Sequence, residues 1–168
     1  MAAARNAPVE KHAHLYRIAA GIWGLCLLSA CTSVTPVQAL KPFSTDGCSL
    51  FPDRALIGTA DWCSCCVEHD LAYWRGGTEE ERLLADQNLK RCVQTVTGNS
   101  ALANLMFSGV RAGGGPYFYT NYRWGYGWPY GRLYQPLSEA ESALADRLRA
   151  AYLDTNPALA CTRETLSK

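Results

Sequence analysis

The chain has 168 residues, a length that predicts a single domain. Its 16 basic and 15 acidic residues nearly cancel, so the charge gives no indication of a nucleic-acid partner. Eight cysteines are many for this length, and a reducing cytosol would give them no structural role unless they bound metal. The compartment is therefore the first question that the sequence has to answer.

The N-terminal segment has the pattern of an export signal. Residues 18–28 are almost wholly apolar and follow basic residues at positions 5, 11 and 17. A basic stretch followed by an apolar run of this length is typical of a signal peptide, because a membrane-spanning helix needs about 20 apolar residues. The run ends in Leu28-Ser29-Ala30-Cys31, which resembles the lipobox of bacterial lipoproteins, where the cysteine carries the lipid.

From this pattern we predict a signal peptide over 1–30, a lipidated tether over 31–42 that begins at Cys31, and an exported domain over 43–168. The alternative is ordinary cleavage or an uncleaved anchor. We expect the mature protein to be lipid-anchored in a bacterial cell envelope, at the outer membrane if the cell has one. An even set of cysteines remains in the exported domain and predicts a disulfide framework whose pairing the count leaves open: Cys48, Cys63, Cys65, Cys66, Cys92 and Cys161.

The first half of this domain predicts a loop and two helices. Turn-forming residues are concentrated over 43–53, which we predict as a loop. A helix is predicted over 63–74 and ends before two glycines at 76 and 77. Thr78 then begins a capping-box pattern that starts a second helix over 79–96. A Gly-Gly turn between two helices predicts an antiparallel helical hairpin.

The second half predicts two more helices around an irregular segment. A third helix is expected over 101–110, and a glycine-rich stop follows it. Residues 117–134 form an aromatic, glycine-rich segment, after which a capping box at Ser138 begins a helix that continues to about Leu153. The predicted fold class is therefore mainly α, with a disulfide-bridged helical hairpin, an irregular aromatic-rich segment and a C-terminal helix.

The predicted hairpin brings three polar side chains together. Cys65, His69 and Tyr73 are spaced by four and share one helix face. In an antiparallel pair, facing residues have position numbers with a constant sum, so a Cys65–Cys92 bridge would put Asp86 close to His69. A carboxylate that accepts the proton of one imidazole nitrogen fixes the tautomer and makes the other nitrogen more basic. The spacing thus predicts a general base.

A second carboxylate lies beside this base. Asp70 follows His69 directly, so its side chain points about 100° away around the helix. The predicted loop carries Asp46 and free carbonyl groups near it. Carboxylate and carbonyl oxygens are the ligands that Ca²⁺ prefers, and the pattern therefore favours a calcium site.

The segment Cys65-Cys66-Val67-Glu68-His69-Asp70-Leu71-Ala72-Tyr73 resembles the active-site helix of secreted phospholipases A2, whose motif is Cys-Cys-x-x-His-Asp-x-Cys-Tyr. Ala85-Asp86, ahead of Cys92, is similar to the second helix of that family. Alanines at 72 and 85 replace two cysteines that bridge each other in the family. Asp46-Gly47-Cys48 with Pro52-Asp53 resembles the calcium loop of the bacterial and fungal branch. The resemblance covers 46–93, and the glycine-rich animal-type calcium loop is absent.

This resemblance implies calcium-dependent hydrolysis of the sn-2 ester of glycerophospholipids. His69 would activate a water, Asp86 would orient His69, and Tyr73 would donate a supporting hydrogen bond. The family also implies calcium ligands and disulfides. The ligands would be Asp70, Asp46 and the Gly47 carbonyl. The implied bridges are Cys48–Cys66 and Cys65–Cys92, which leave Cys63 and Cys161 as the remaining pair.

Other interpretations stay open at this point. His69 and Asp86 can be a purely structural pair, in which case the chain is a non-catalytic envelope lipoprotein that uses this scaffold to bind lipid or protein. The Cys-x-x-Cys spacing from Cys63 to Cys66 is also compatible with a zinc or thiol-redox site, which the exported context disfavours. No Gly-x-Ser-x-Gly motif occurs, so a serine hydrolase is not indicated.

The aromatic segment at 117–134 suggests a second contact with lipid. Tyr and Trp favour sites that are apolar at one end and wet at the other, including membrane interfaces. Our hypothesis is that the segment touches lipid or covers the substrate groove, and that alanine at Trp124 and Trp128 weakens vesicle binding but spares folding. The alternative is that the rings pack on the domain's own helices. The predicted partners are a phospholipid substrate and a membrane surface, with no specific protein partner.

Overall fold

The structure is a computed structural model that describes residues 39–56, 59–156 and 161. The predicted signal peptide, the predicted lipidation site at Cys31 and most of the predicted tether lie outside these residues. The described part contains four helices and no strands: α1 (Cys63–Arg75), α2 (Glu79–Thr97), α3 (Ser100–Gly113) and α4 (Glu139–Thr155). The mainly α fold class is therefore confirmed. None of these helices combines the length and apolar character needed to cross a bilayer.

The helix boundaries follow from local capping chemistry. Thr78 Oγ1 accepts a hydrogen bond from the Glu81 backbone, and the Glu81 carboxylate accepts one from Thr78 N, which completes a capping box at the start of α2. Ser138 begins α4 in the same way. Gly76 ends α1 with a φ of 68°, a conformation that costs glycine little. The third helix extends to Gly113, beyond its predicted end, because the backbone hydrogen bonds of α3 continue through its last turn.

Helices α1 and α2 run antiparallel to each other. Three contacts establish this direction, because successively later residues of α1 contact successively earlier residues of α2. A disulfide joins Cys65 to Cys92, a hydrogen bond joins His69 to Asp86, and a further hydrogen bond joins Tyr73 to Arg82. The predicted juxtaposition of His69 and Asp86 is therefore present, and α2 also packs on α3.

Disulfides attach the flanking segments to α1. The bonds are Cys48–Cys66, Cys65–Cys92 and Cys63–Cys161, which are the expected pairs. The first fastens the loop before α1 to the helix that carries His69. With these cysteines in disulfides, the alternative of a zinc or thiol-redox site between Cys63 and Cys66 has no free thiol to use.

The aromatic segment supplies part of the core. Trp124 and Trp128 are only 2% and 0% exposed, and their indole N–H groups donate to the carbonyls of Gly77 and Arg75. These bonds fasten the segment to the C-terminal end of α1. The prediction that alanine at either tryptophan spares folding is therefore wrong, since the deletion of a buried indole removes core packing as well as a buried hydrogen bond. The exposed aromatic side chains of this segment are four tyrosines and a phenylalanine: Tyr117, Phe118, Tyr119, Tyr122 and Tyr130.

Candidate active site

A buried carboxylate holds the imidazole of α1. Asp86 on α2 is 0% exposed, and its Oδ1 lies 2.8 Å from His69 Nε2. The hydroxyl of Tyr73 donates to the same oxygen at 2.8 Å. The two α1 residues are one helical turn apart, and their rings stack with centroids 4.2 Å apart. The structure thus brings together the three residues that the sequence predicted as a catalytic set.

Arg111 near the C-terminal end of α3 contacts the other oxygen of Asp86. Its Nη1 lies 2.7 Å from Asp86 Oδ2, and its side chain is 27% exposed. Sequence reasoning missed this contact. No local spacing relates α3 to Asp86, so only the packing of α3 on α2 reveals the pair.

Arg82 on α2 supports the phenol of Tyr73. Its Nε donates to Tyr73 Oη at 3.0 Å, and its Nη2 donates to the carbonyls of Val110 and Arg111 at 2.8 and 2.9 Å. The guanidinium is buried and also lies 3.9 Å from Asp86 Oδ2. Arg82 therefore connects the end of α3 to the site. The i, i+4 spacing of Arg82 and Asp86 on one helix was the sequence signal that could have found it.

The ionisation of Asp86 fixes the tautomer of His69. Burial alone would raise the pKa of Asp86, but hydrogen bonds from His69, Arg111 and Tyr73 outweigh burial and lower it. An ionised carboxylate only accepts hydrogen bonds, so Nε2 of His69 carries the proton. Nδ1 then keeps its lone pair, and no residue in the described part of the chain forms a hydrogen bond to it. The pKa of Tyr73 is raised by burial and by the charge of Asp86, so the phenol stays a donor.

The imidazole borders a cavity of about 300 Å³ with an apolar wall. Its lining comes from the loop before α1, from the His69 face of α1 and from one face of α3. The apolar residues include Phe51, Leu105 and Met106, and Leu50 stands at the rim, 87% exposed, with a φ of 62°. Such a φ is strained for leucine, and strain of this kind is typical of functional loops. The cavity has the character of a site for an apolar chain.

Asp70 borders the same cavity and lies within a group of oxygen atoms. Thr45 Oγ1 donates to Asp70 Oδ2 at 2.6 Å and accepts from Gly47 N at 3.0 Å. Burial, together with the charges of Asp46 and Asp53, raises the pKa of Asp70 to about 7, although the hydrogen bond from Thr45 acts to lower it. The three predicted calcium ligands Asp46, Gly47 and Asp70 are therefore in one region of the fold.

The chemistry of this region fits a hard cation. Asp46 and Asp53 each repel the charge of Asp70, and none of the three forms an ion pair with a basic side chain in the ranges that the structure describes. Over the same ranges, no group of three or more His, Cys, Asp or Glu side chains is arranged to hold a metal ion. Calcium also takes backbone carbonyl, hydroxyl and water oxygens, so two carboxylates with the Gly47 carbonyl suit it.

Comparison of the sequence with protein-family models and curated proteins, and of the fold with solved structures, finds no match. The function of this chain is therefore inferred from its own residues and their geometry.

Proposed function

We propose that this protein is a calcium-dependent hydrolase of the phospholipase A2 type, which cleaves the sn-2 ester of glycerophospholipids. One observation carries the proposal. The buried Asp86 accepts hydrogen bonds from both His69 Nε2 and Tyr73, and the free nitrogen of His69 belongs to a ring that borders an apolar cavity next to Asp70. A structural His–Asp pair does not require a cavity at the ring or a second carboxylate beside it.

In the proposed reaction, His69 acts as a general base. Its Nδ1 accepts a proton from a water molecule as the water oxygen attacks the carbonyl carbon of the ester. Asp86 stabilises the imidazolium that forms, and Tyr73 holds the carboxylate in place. The imidazolium then gives its proton to the departing glycerol oxygen, which yields a fatty acid and a lysophospholipid. General-base catalysis of this kind contributes roughly 10²–10⁴-fold.

Asp46, Asp70 and the Gly47 carbonyl would hold the calcium ion. A bound Ca²⁺ supplies positive charge for the lipid phosphate and for the oxyanion that develops on the ester carbonyl. Thr45 keeps one oxygen of Asp70 oriented through its 2.6 Å hydrogen bond. The Cys48–Cys66 disulfide holds the loop that carries Asp46 and Gly47 on α1. Lipidation at Cys31 and an envelope location complete the proposal and would keep the domain at its substrate surface.

The test is fatty-acid release from mixed phospholipid micelles, measured with calcium or with a chelator. We expect turnover by the wild type with calcium, and a loss of roughly 10²-fold or more in His69→Ala. Glu68→Ala is the matched control, because Glu68 is the exposed neighbour of His69 on the same helix. Turnover that persists in chelator or in His69→Ala would refute the mechanism. If the wild type hydrolyses no phospholipid, the non-catalytic binding protein becomes the better interpretation.

A further inference from the structure

A second cavity lies on the other side of the acidic group. It has a volume of about 480 Å³ and borders both Asp46 and Asp70. Residues 119–123 and 128–130 of the aromatic segment also line it, as does Lys41. We call it the polar cavity. The candidate cation site therefore separates the apolar cavity at His69 from a polar one.

Arg123 in the wall of the polar cavity is a largely buried cation, 7% exposed. Among the described residues its side chain donates one hydrogen bond, from Nη2 to the Trp128 carbonyl at 2.8 Å, and no carboxylate pairs with it there. Its other N–H groups are not among the enclosed atoms that lack a partner, so they stay accessible to a ligand or to water in the cavity.

A neighbouring hydroxyl group is unsatisfied. Thr120 Oγ1, in the same wall, is buried and forms no hydrogen bond with any described residue. A buried polar group without a partner usually indicates a missing ligand or water. Thr120 and Arg123 thus bring polar groups to the polar cavity from one stretch of its lining, 119–123, and Lys41 adds a positive charge.

The aromatic rings of this wall do not favour a quaternary ammonium ligand. Such ligands bind to free faces of aromatic rings. Here Arg123 lies over the ring of Tyr130 at 5.5 Å, and Arg132 lies over the ring of Trp128 at 4.3 Å. These two cations lie against Tyr130 and Trp128 and would repel a trimethylammonium group near them, so a ligand without a positive charge is favoured on this side of the cavity.

We propose that the polar cavity binds the head group of an anionic phospholipid, such as phosphatidylglycerol, with Arg123 and Thr120 as hydrogen-bond donors to its phosphate or hydroxyl oxygens. This inference rests on the proposed function, because a cation at Asp46 and Asp70 neutralises the acidic wall and places the phosphate of the substrate beside it. The sn-2 ester then faces His69, and the distal part of the head group extends towards Arg123. A choline head group in the same place meets Arg123 and Lys41 with like charge.

The test compares short-chain phosphatidylglycerol and phosphatidylcholine with the same acyl chains, as monomers below their micelle concentration. Monomers remove the effect of surface charge from the comparison. We expect kcat/KM of the wild type to favour phosphatidylglycerol by about tenfold, which is the size of one charge-assisted hydrogen bond. Arg123→Gln should abolish this preference, and Lys41→Gln should reduce it. Arg147→Gln is the control, since it makes the same charge change at an exposed position on α4.

A binding measurement separates this inference from the proposed function. Titration calorimetry with calcium would use glycerophosphoglycerol, the head group without acyl chains, and inorganic phosphate as the free anion. Binding of glycerophosphoglycerol that is lost in Arg123→Gln supports the head-group site even if no lipid is hydrolysed. Equal turnover of both lipids by an active wild type overturns the site but leaves the hydrolase proposal intact. Inorganic phosphate that binds as tightly as glycerophosphoglycerol also overturns it.

Two further variants keep the test decisive if Arg123→Gln does not fold. Thr120→Val has nearly the same shape and removes a hydroxyl that forms no hydrogen bond with any residue the structure describes, so we expect it to fold at least as well as the wild type. Lys41→Gln changes an exposed side chain. If both variants fold and both retain the full preference for phosphatidylglycerol, the polar cavity does not recognise the head group.

Discussion

The carboxylate of Asp86 uses both of its oxygen atoms in the candidate site. Oδ1 accepts from His69 and Tyr73, and Oδ2 accepts from Arg111 at 2.7 Å. Removing one partner of a buried ionic network leaves the others unpaired, so substitution of Asp86 itself would damage folding as well as chemistry. Arg111 is the better probe, because it is partly exposed and does not touch Oδ1.

We predict that Arg111→Gln changes the pH profile more than the stability. The hydrogen bond from Arg111 helps to hold the pKa of Asp86 below its usual range, so the carboxylate stays ionised as the pH falls. Without Arg111 the pKa of Asp86 rises and the acceptor for His69 Nε2 is lost at a higher pH, so the acidic limb of kcat against pH should move to higher pH. The measurement is kcat from pH 5 to 9, with Arg147→Gln as control. An unshifted acidic limb would show that Arg111 has no electrostatic influence on the base.

Asp70 gives a prediction about stability. In the folded chain without calcium its pKa is raised from 3.8 to about 7, chiefly by burial. A raised folded-state pKa favours folding below the unfolded value, and this contribution is lost as the pH rises towards 7. We expect Asp70→Asn in chelator to be more stable than the wild type by about 2–4 kcal/mol at pH 8 and equal to it at pH 3.

Thermal unfolding at the two pH values measures this difference. Calcium adds an independent check, because a ligand that binds only the folded state raises Tm. Calcium should therefore stabilise the wild type at pH 8 and have little effect on Asp70→Asn. The same calcium effect in both proteins would contradict a role for Asp70 in the cation site.

At the scale of elements, the end of α3 closes on Tyr73 of α1. Gly114 follows α3, and a Cβ atom built there would lie 2.6 Å from Tyr73 Cε1 and 2.8 Å from its hydroxyl oxygen. At Gly113, one residue earlier, a Cβ atom would meet nothing within 4 Å. These neighbouring glycines therefore differ in what they allow. Gly114 allows the backbone to approach the phenol of Tyr73 closely, whereas position 113 does not require glycine.

We predict that Gly114→Ala destabilises the fold by about 1–3 kcal/mol, because the methyl group must displace Tyr73 or the chain after α3. Activity should fall with it, since Tyr73 positions Asp86. Gly113→Ala is the matched control and should be more stable by about 0.5–1 kcal/mol, as alanine loses less entropy than glycine in a helix. Urea unfolding and kcat would be measured for both. Similar results for the two variants would show that the approach to Tyr73 is not tight.

At the scale of the whole molecule, the aromatic segment has two roles. Its tryptophans are part of the core, whereas Tyr119 is 86% exposed and lies beside Tyr130 with ring centroids 4.9 Å apart. The lipid hypothesis for this segment therefore concerns its exposed rings. Exposed tyrosines at a membrane surface can insert an apolar ring and keep a wet hydroxyl.

We predict that Tyr119→Ser weakens binding to phospholipid vesicles and leaves Tm unchanged. Trp128→Ala should mainly lower the stability, by about 3–5 kcal/mol, because the indole is fully buried. Vesicle sedimentation and thermal unfolding of both variants check the prediction. Vesicle binding by Tyr119→Ser that equals the wild type would leave the exposed rings without a role in lipid contact.

The sequence by itself determined the helices, their caps and the meeting of His69 with Asp86. These features depend on short-range rules: the four-residue period of a helix, capping boxes at Thr78 and Ser138, and an antiparallel register between neighbouring helices. Local spacing was enough because α1 and α2 are joined by a short turn. A short connection leaves little freedom in how two helices can pair.

Only the tertiary structure decided what surrounds that pair. The contact of Arg111 with Asp86, the burial of Trp128 and the hydrogen bond from Arg123 to the Trp128 carbonyl arise from segments that no local period relates to α1. The raised pKa of Asp70 likewise depends on burial beneath a loop that folds back onto the helix. The burial of a side chain and the charges around it depend on which segments pack together in the tertiary structure, and spacing along the chain does not specify them.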